Sequence, residues 1–248
     1  MSNFSLINNL WVNAFLINFL LISLGQSIPL LTKKGWIHAG LLGTLLMGSI
    51  GWKGWISVFI YLLLGTVVTK IGYKNKASRG IAEARGGKRG PENVWGSAAT
   101  GCSLALLSCF WTDYLSLFMV GFASSFAAKL SDTFSSEIGK RFGKRTFLIT
   151  TLKPVQAGTE GAISVEGLLA GLCGSFIMTV VMVKLTIISG VYVALIVLVS
   201  GYLATILESY IGAVFQNKIE WMTNELVNSI QTSLAAIISM FLYSKYLF

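Results

Sequence analysis

Eight stretches of this chain contain no Asp, Glu, Lys or Arg: residues 4 to 24, 36 to 52, 54 to 69, 94 to 112, 114 to 128, 167 to 183, 185 to 207 and 226 to 244. Soluble domains charge about a quarter of their residues and scatter that charge, whereas here 12% are charged and 54% apolar. Hydrocarbon offers the backbone no hydrogen bonds, and a helix satisfies its own within one segment. A bilayer core of about 30 Å takes about 20 helical residues, with about 17 as the lower end. The second, third, fifth and sixth runs are marginal by that measure. The expected fold class is therefore all-α: a polytopic transmembrane helix bundle of about eight spans, forming a single integral membrane domain over residues 1 to 248. Six or seven spans stay open, because the segment around Trp52, Lys53, Gly54 and Trp55 can be one broken or re-entrant element. The first 24 residues have no Lys or Arg and no small-residue cleavage site, and read as a retained span.

The charges supply the orientation. With the amino terminus outside, the polar segments 25 to 35, 70 to 93, 129 to 163 and 208 to 225 emerge on one face, which collects 16 of the 19 basic residues. Lys and Arg accumulate on the cytoplasmic side, so these loops are expected to be cytoplasmic. The net charge of +9 is then no sign of nucleic acid. The same face also takes nine of the ten acidic residues, all but Asp113, which orientation does not require. A site assembled from these loops accounts for both signs. Cys102, Cys109 and Cys173 lie in apolar runs without a CxxC and read as packing residues, as does the lone His38.

Four segments carry the candidate chemistry. In the first, residues 79 to 96, Glu83, Arg85, Gly86, Gly87, Lys88, Arg89 and Asn93 surround Pro91, which suits a first helical turn. Glycines let backbone amides approach an anion, and a helix start adds partial positive charge. In the second, 129 to 140, a continuing helix puts Ser125, Lys129, Asp132 and Ser136 on one face. Glu137 then points about 140° from Asp132. An Asp with hydroxyl support can seat a nucleotide-bound metal, and a plain Lys129–Asp132 pair is the simpler reading. The third, 153 to 167, repeats the design of the first: Lys153, Gly158, Thr159 and Gly161, then a helix start that Ser164 can cap. In the fourth, Glu208 ends an apolar run, and Asn224, Asn228 and Gln231 share a helical face that can serve ligands or glue helices together.

The blocks GIAEARGGKRGPENVWGSAATG (80 to 101), SDTFSSEIGK (131 to 140), KPVQAGTEGAISVEG (153 to 167) and ESYIGAVFQ with WMTNELVN (208 to 228) resemble the membrane family that includes the phytyl-phosphate kinase of plants and cyanobacteria. The resemblance marks 80 to 230 as the catalytic region. It implies phosphoryl transfer from a nucleoside triphosphate, with CTP the expected donor, to phytyl or another prenyl monophosphate, giving a diphosphate for tocopherol and quinone synthesis. It also implies Mg²⁺, a bacterial inner, thylakoid or chloroplast-envelope-type membrane, and no nucleic acid partner. Oligomeric state stays open. In this reading Asp132, Lys88 and Arg89 are catalytic, and Asp132, Glu137 and Glu208 are metal ligands. Glu83, Arg85, Gly86, Gly87, Asn93, Lys153, Gly158, Thr159, Gly161, Ser164, Asn224 and Asn228 contact nucleotide or phosphate. The chain has Gly158-Thr159-Glu160-Gly161 where Gly-Thr-Asn-Gly is expected. A CTP-dependent lipid cytidylyltransferase or prenol kinase would use the same cation clamps. A transporter or membrane scaffold is the reading from another class, although a transporter places ionisable groups near the bilayer midplane.

Overall fold

The computed structural model describes residues 3–216 and 218–246. The chain is helical almost throughout: α1 (Asn3–Gly25), α2 (Lys33–Lys70), a short α3 (Tyr73–Ser78), α4 (Pro91–Phe110), α5 (Leu115–Phe142), α6 (Val165–Lys184), α7 (Val191–Ile211) and α8 (Asn224–Tyr246). A two-residue antiparallel ladder, β1 (Phe147–Leu148) with β2 (Ala162–Ile163), closes the base of the loop before α6. Five helices among the described residues are long and apolar enough to cross a bilayer.

One of these five, α2, is 38 residues long and would measure about 57 Å if straight, almost twice the hydrocarbon thickness. It is not straight. Gly51 sits at φ 72° and ψ −164°, outside helical geometry and in a region that only glycine enters easily. The chain folds back there. Gly35 and Gly65, on opposite sides of this break, both lie against Arg89, the first beneath its carbonyl and the second beneath its guanidinium. Residues 33–50 and 52–70 are thus antiparallel neighbours, and α1 packs beside the first of them, with Trp11 over Gly48 and Trp36 over Gly25. Together with α1, α4, α5, α6, α7 and α8, the two halves are compatible with eight crossings.

α5 is the axis, with 72% of its most apolar 18-residue window buried against α2, α4, α6, α7 and α8. Phe122, Ala123, Phe126, Ala127 and Leu130 are completely enclosed. Small residues bring the neighbours close, the packing mode that membrane helices use in place of a hydrophobic driving force. A Cβ on Gly174 would lie 2.8 Å from the Leu130 carbonyl. The Gln231 side-chain amide of α8 reaches across to the Ala128 carbonyl (3.2 Å) and Thr205 (3.1 Å), so this member of the polar stripe binds helix to helix.

The consequence of this threading is that every long polar segment arrives at the same end. The starts of α4, α6 and α8, the ends of α2, α5 and α7, and the loops between them surround one cavity. Lys53 and Thr186 hydrogen-bond at the other end.

Candidate active site

The cavity holds about 360 Å³. Its floor is the second half of α5, which runs on from the core without a break, so residues three, four and seven apart stay on one face. Lys129 is buried there and donates to the Asp132 carboxylate and to Asn228 Oδ1 of α8 (2.7 Å). Only one Asp132 oxygen takes part, and the other faces no donor among the described residues. Among the described residues, Glu208 of α7 accepts only from the hydroxyl of its neighbour Ser209, at 3.4 Å. Lys140, Thr133, Ser135 and Ser136 continue the lining along α5, and Thr69, Ser97 and Asn224 add polar groups from α2, α4 and α8.

The loop from 157 to 164 forms one wall. Gly161 has φ +74° and backs directly onto the end of α7 and the turn after it, where a Cβ would stand 2.3 Å from that of Ala213 and 2.7 Å from the Ser209 carbonyl. Thr159 and Ala162 spend their amides inside the loop. The amides of Gly158, Glu160 and Gly161 have no partner in the chain among the described residues, and unspent amides in a curved, glycine-bearing loop favour an anion. Ser164 caps α6 by accepting from Gly167 N at 3.1 Å. Glu160, half-buried with an oxygen 3.9 Å from where a Gly212 Cβ would be, joins the same cluster. Burial raises its carboxyl above the usual range; the Lys140 cation opposes this, and nearby Asp132 adds to it.

The opposite wall comes from the loop before α4. Arg89 donates to the Tyr61 hydroxyl at 2.6 Å and lies over its ring, and among the described residues no carboxylate lies within ion-pair distance of its guanidinium. Glu83 and Gly87 also face the cavity. The rest of this loop is turned elsewhere. Lys88, Arg85 and Gly86 lie outside the cavity, with Arg85 paired to Glu92 on the surface and bonded to Asn93. Lys153 is likewise exposed and outside.

Of the residues singled out in the sequence, the fold therefore gathers Asp132, Arg89, Glu83, Gly87, Asn93, Gly158, Thr159, Gly161, Ser164, Asn224, Asn228, Glu137 and Glu208, and leaves out Lys88, Arg85, Gly86 and Lys153. Two of those gathered have other duties. Glu137 forms a buried ion pair with Lys76 of α3, which also donates to the Thr69 carbonyl at 3.0 Å, and this pair clamps α3 to α5. Asn93 accepts from Gly90 N at 2.9 Å at the start of α4 and donates to Glu225 at 3.2 Å. Among the described residues no three His, Cys, Asp or Glu side chains form a metal cage. Asp132 and Glu208 can still supply two carboxylates, and Mg²⁺ bound with a nucleotide needs no more than that. Lys129 and Lys140 also line the cavity, and the sequence reading does not single them out as site residues. They are eleven residues apart, about 20° around the helix, and that spacing was the available signal.

A membrane helix bundle whose charges converge on a cavity at one end defines an integral membrane protein with an interfacial site. The chain belongs to the family of integral membrane proteins described as DUF92, whose model matches residues 16–236. It is 46% identical over 234 residues to an uncharacterized membrane protein of Synechocystis sp., covering 92% of this chain and 90% of the relative. It is 44% identical over 236 residues to the chloroplastic protein VTE6 of Arabidopsis thaliana (92% and 71%). An uncharacterized membrane protein of Methanocaldococcus jannaschii is 30% identical over 213 residues (86% of each). No solved structure matches.

Proposed function

We propose that this protein is a membrane kinase that transfers a phosphoryl group from a nucleoside triphosphate, CTP, to phytyl or another prenyl monophosphate, giving the diphosphate for tocopherol and quinone synthesis. The observation that carries the reading is the cavity itself: Arg89, Lys129 and Lys140, five carboxylates (Glu83, Asp132, Glu137, Glu160 and Glu208) and unspent loop amides meet at one end of a bilayer-spanning bundle. Kinship to a chloroplast protein and a cyanobacterial one, together with the four sequence blocks, supports the choice of lipid.

Phosphoryl transfer asks little covalent chemistry of a protein and much positioning and charge neutralisation. An oxygen of the lipid phosphate attacks the terminal phosphorus of the donor. The bridging P–O bond breaks, and the nucleoside diphosphate leaves with its electron pair. The attacking oxygen is already anionic, so no general base is required, and no histidine lines the cavity. Arg89 holds the acceptor phosphate by paired N–H donors. The 157–161 loop holds the donor phosphates through its amides, and Lys140 and Lys129 neutralise the charge that spreads over the transferred group. Asp132 and Glu208 would seat Mg²⁺, which would supply charge neutralisation to the phosphate groups.

The test is purified protein in detergent or liposomes with phytyl phosphate, Mg²⁺ and each nucleoside triphosphate in turn. We expect the lipid diphosphate together with CDP, and a fall of at least about 100-fold in Asp132→Asn. Pyrophosphate release in place of CDP would identify a nucleotidyl transferase, and no turnover with any prenyl phosphate would end the kinase reading.

A further inference from the structure

A second cavity, apolar and of about 100 Å³, lies between α1, the two halves of α2 and α4. It shares Arg89, Asn93 and Ser97 with the polar cavity, so the two adjoin at that point. From there it runs past Tyr61 and Leu62 towards Trp55 and Leu46, and at 1.5 Å per residue the stretch from Trp36 to Leu46 extends it about 15 Å into the bundle. Its deepest polar residue is unavailable to a ligand: Asn18 donates to the Ala14 carbonyl (2.8 Å) and accepts from Trp55 Nε1 (2.9 Å). What the groove offers an occupant is hydrocarbon along its length and, at its mouth, a guanidinium without a carboxylate partner.

We infer that this groove binds the apolar tail of the phospholipid-like acceptor, with its phosphate on Arg89 and its chain between α1, α2 and α4. Only an amphiphile bearing an anion at one end matches a cationic mouth joined to an apolar slot, and burying the chain beside the guanidinium removes water from the ion pair and strengthens it. A chain longer than the groove emerges into the bilayer between α1 and α2. The placement rests on the kinase reading for the identity of the head group, and not for the existence of the slot. It also separates the two substrates: the lipid enters from the α1–α2 side, the nucleotide from the loop side at 157–161.

The experiment uses the full-length protein in liposomes and a prenyl phosphate carrying a photoreactive diazirine on its chain, with cross-linked peptides mapped by mass spectrometry. The expected label falls on residues 18–22, 39–62 and 94–98, and excess unlabelled prenyl phosphate removes it. Label on the outer faces of α6 or α7, or label that only bulk phospholipid displaces, overturns the assignment. Groove filling supplies an independent reading. Val58→Phe is expected to shift the kcat/KM ratio of short-chain to long-chain prenyl phosphate by about tenfold towards the short chain, whereas Phe176→Leu on the exposed face of α6 leaves that ratio unchanged. An unchanged ratio in Val58→Phe overturns the groove. Competed labelling of the groove without phosphoryl transfer supports the groove and ends the kinase reading, while transfer with the label elsewhere does the reverse.

Discussion

The two glycine-rich loops, 79–90 and 153–164, look like one device used twice, and the fold makes them different objects. In the first, Gly87 N bonds to Ala84 O (2.9 Å), Lys88 N to Arg85 O (3.2 Å), Arg89 N to Leu30 O (3.2 Å) and Gly90 N to Asn93. Lys70 caps the Gly86 carbonyl at 2.6 Å. That loop is joined to the start of α2 by Thr32 N to Arg89 O (3.0 Å); of its three cavity-lining residues, Gly87 and Arg89 spend their amides within the chain and Glu83 does not, and the other unspent amides among the described residues, those of Ala82, Ala84, Arg85 and Gly86, belong to residues outside the cavity. In the second, the β1–β2 ladder and the Ile149 N to Gly161 O bond (3.0 Å) hold the base, while the amides of Gly158, Glu160 and Gly161, all of them in the cavity wall, are among those without a partner among the described residues. Glycine density therefore announces tight backbone geometry, and the hydrogen-bond inventory decides whether that geometry serves the chain itself or a ligand.

The contrast can be broken most sharply at Gly161. Its left-handed φ and the 2.3 Å approach to Ala213 leave no room for a methyl group, so Gly161→Ala should displace the amides and lower phosphoryl transfer at least about 100-fold. Thermal unfolding should remain near that of wild type, because the bundle core is untouched. Transfer at the wild-type rate would show that the loop amides take no part. Next comes Arg89, the first loop's contribution to the cavity. Arg89→Gln removes a charge-assisted contact worth about 1.5–3 kcal/mol, and we expect KM for the lipid phosphate to rise roughly 10- to 100-fold while KM for the nucleotide changes little.

Glu160 gives a smaller effect with a definite sign. Burial raises its carboxyl, so from the ordinary glutamate range up to the raised value the folded state binds more protons than the unfolded one. Stability then falls as pH rises through that window and stays lower above it. Glu160→Gln lacks this loss, and its melting temperature relative to wild type should climb between the two limits; a difference that stays constant with pH would refute the buried, protonatable carboxyl. The smallest effects belong to Arg85 and Lys153, both exposed and outside the cavity. Arg85→Ala and Lys153→Ala should keep kcat/KM within about twofold, as surface charge contacts do, and a tenfold loss in either would make its loop a substrate contact after all.

Much of this was legible in the sequence because membrane threading obeys counting. Charge-free runs separated by polar segments led to one populated end, and the helices bring segments 25–35, 70–93, 129–163 and 208–225 to it. Pro91 opens α4 and Ser164 caps α6, where local chemistry alone decides. The break in α2 was legible as an ambiguity near Trp52 and resolved to Gly51, one residue earlier. What the sequence withheld was pairing across distance. Glu137 was seen to point away from Asp132, but its partner Lys76 lies 61 residues off on a six-residue helix with no periodic signal of its own. Glu160 stood out only as a departure from an expected Asn; its place beside α7 depends on how Gly161 seats the loop. The unequal fates of the glycine loops were hidden for the same reason, since the carbonyl that accepts from Arg89 N is that of Leu30 in another segment.

The fold-back at Gly51 also fixes parity. With two crossings in α2 instead of one, every later helix keeps the sense that the charge distribution demands. A single left-handed glycine thus acts as a topological bit: straightened, it would reverse the orientation of everything after it and move the polar cavity to the other face of the membrane.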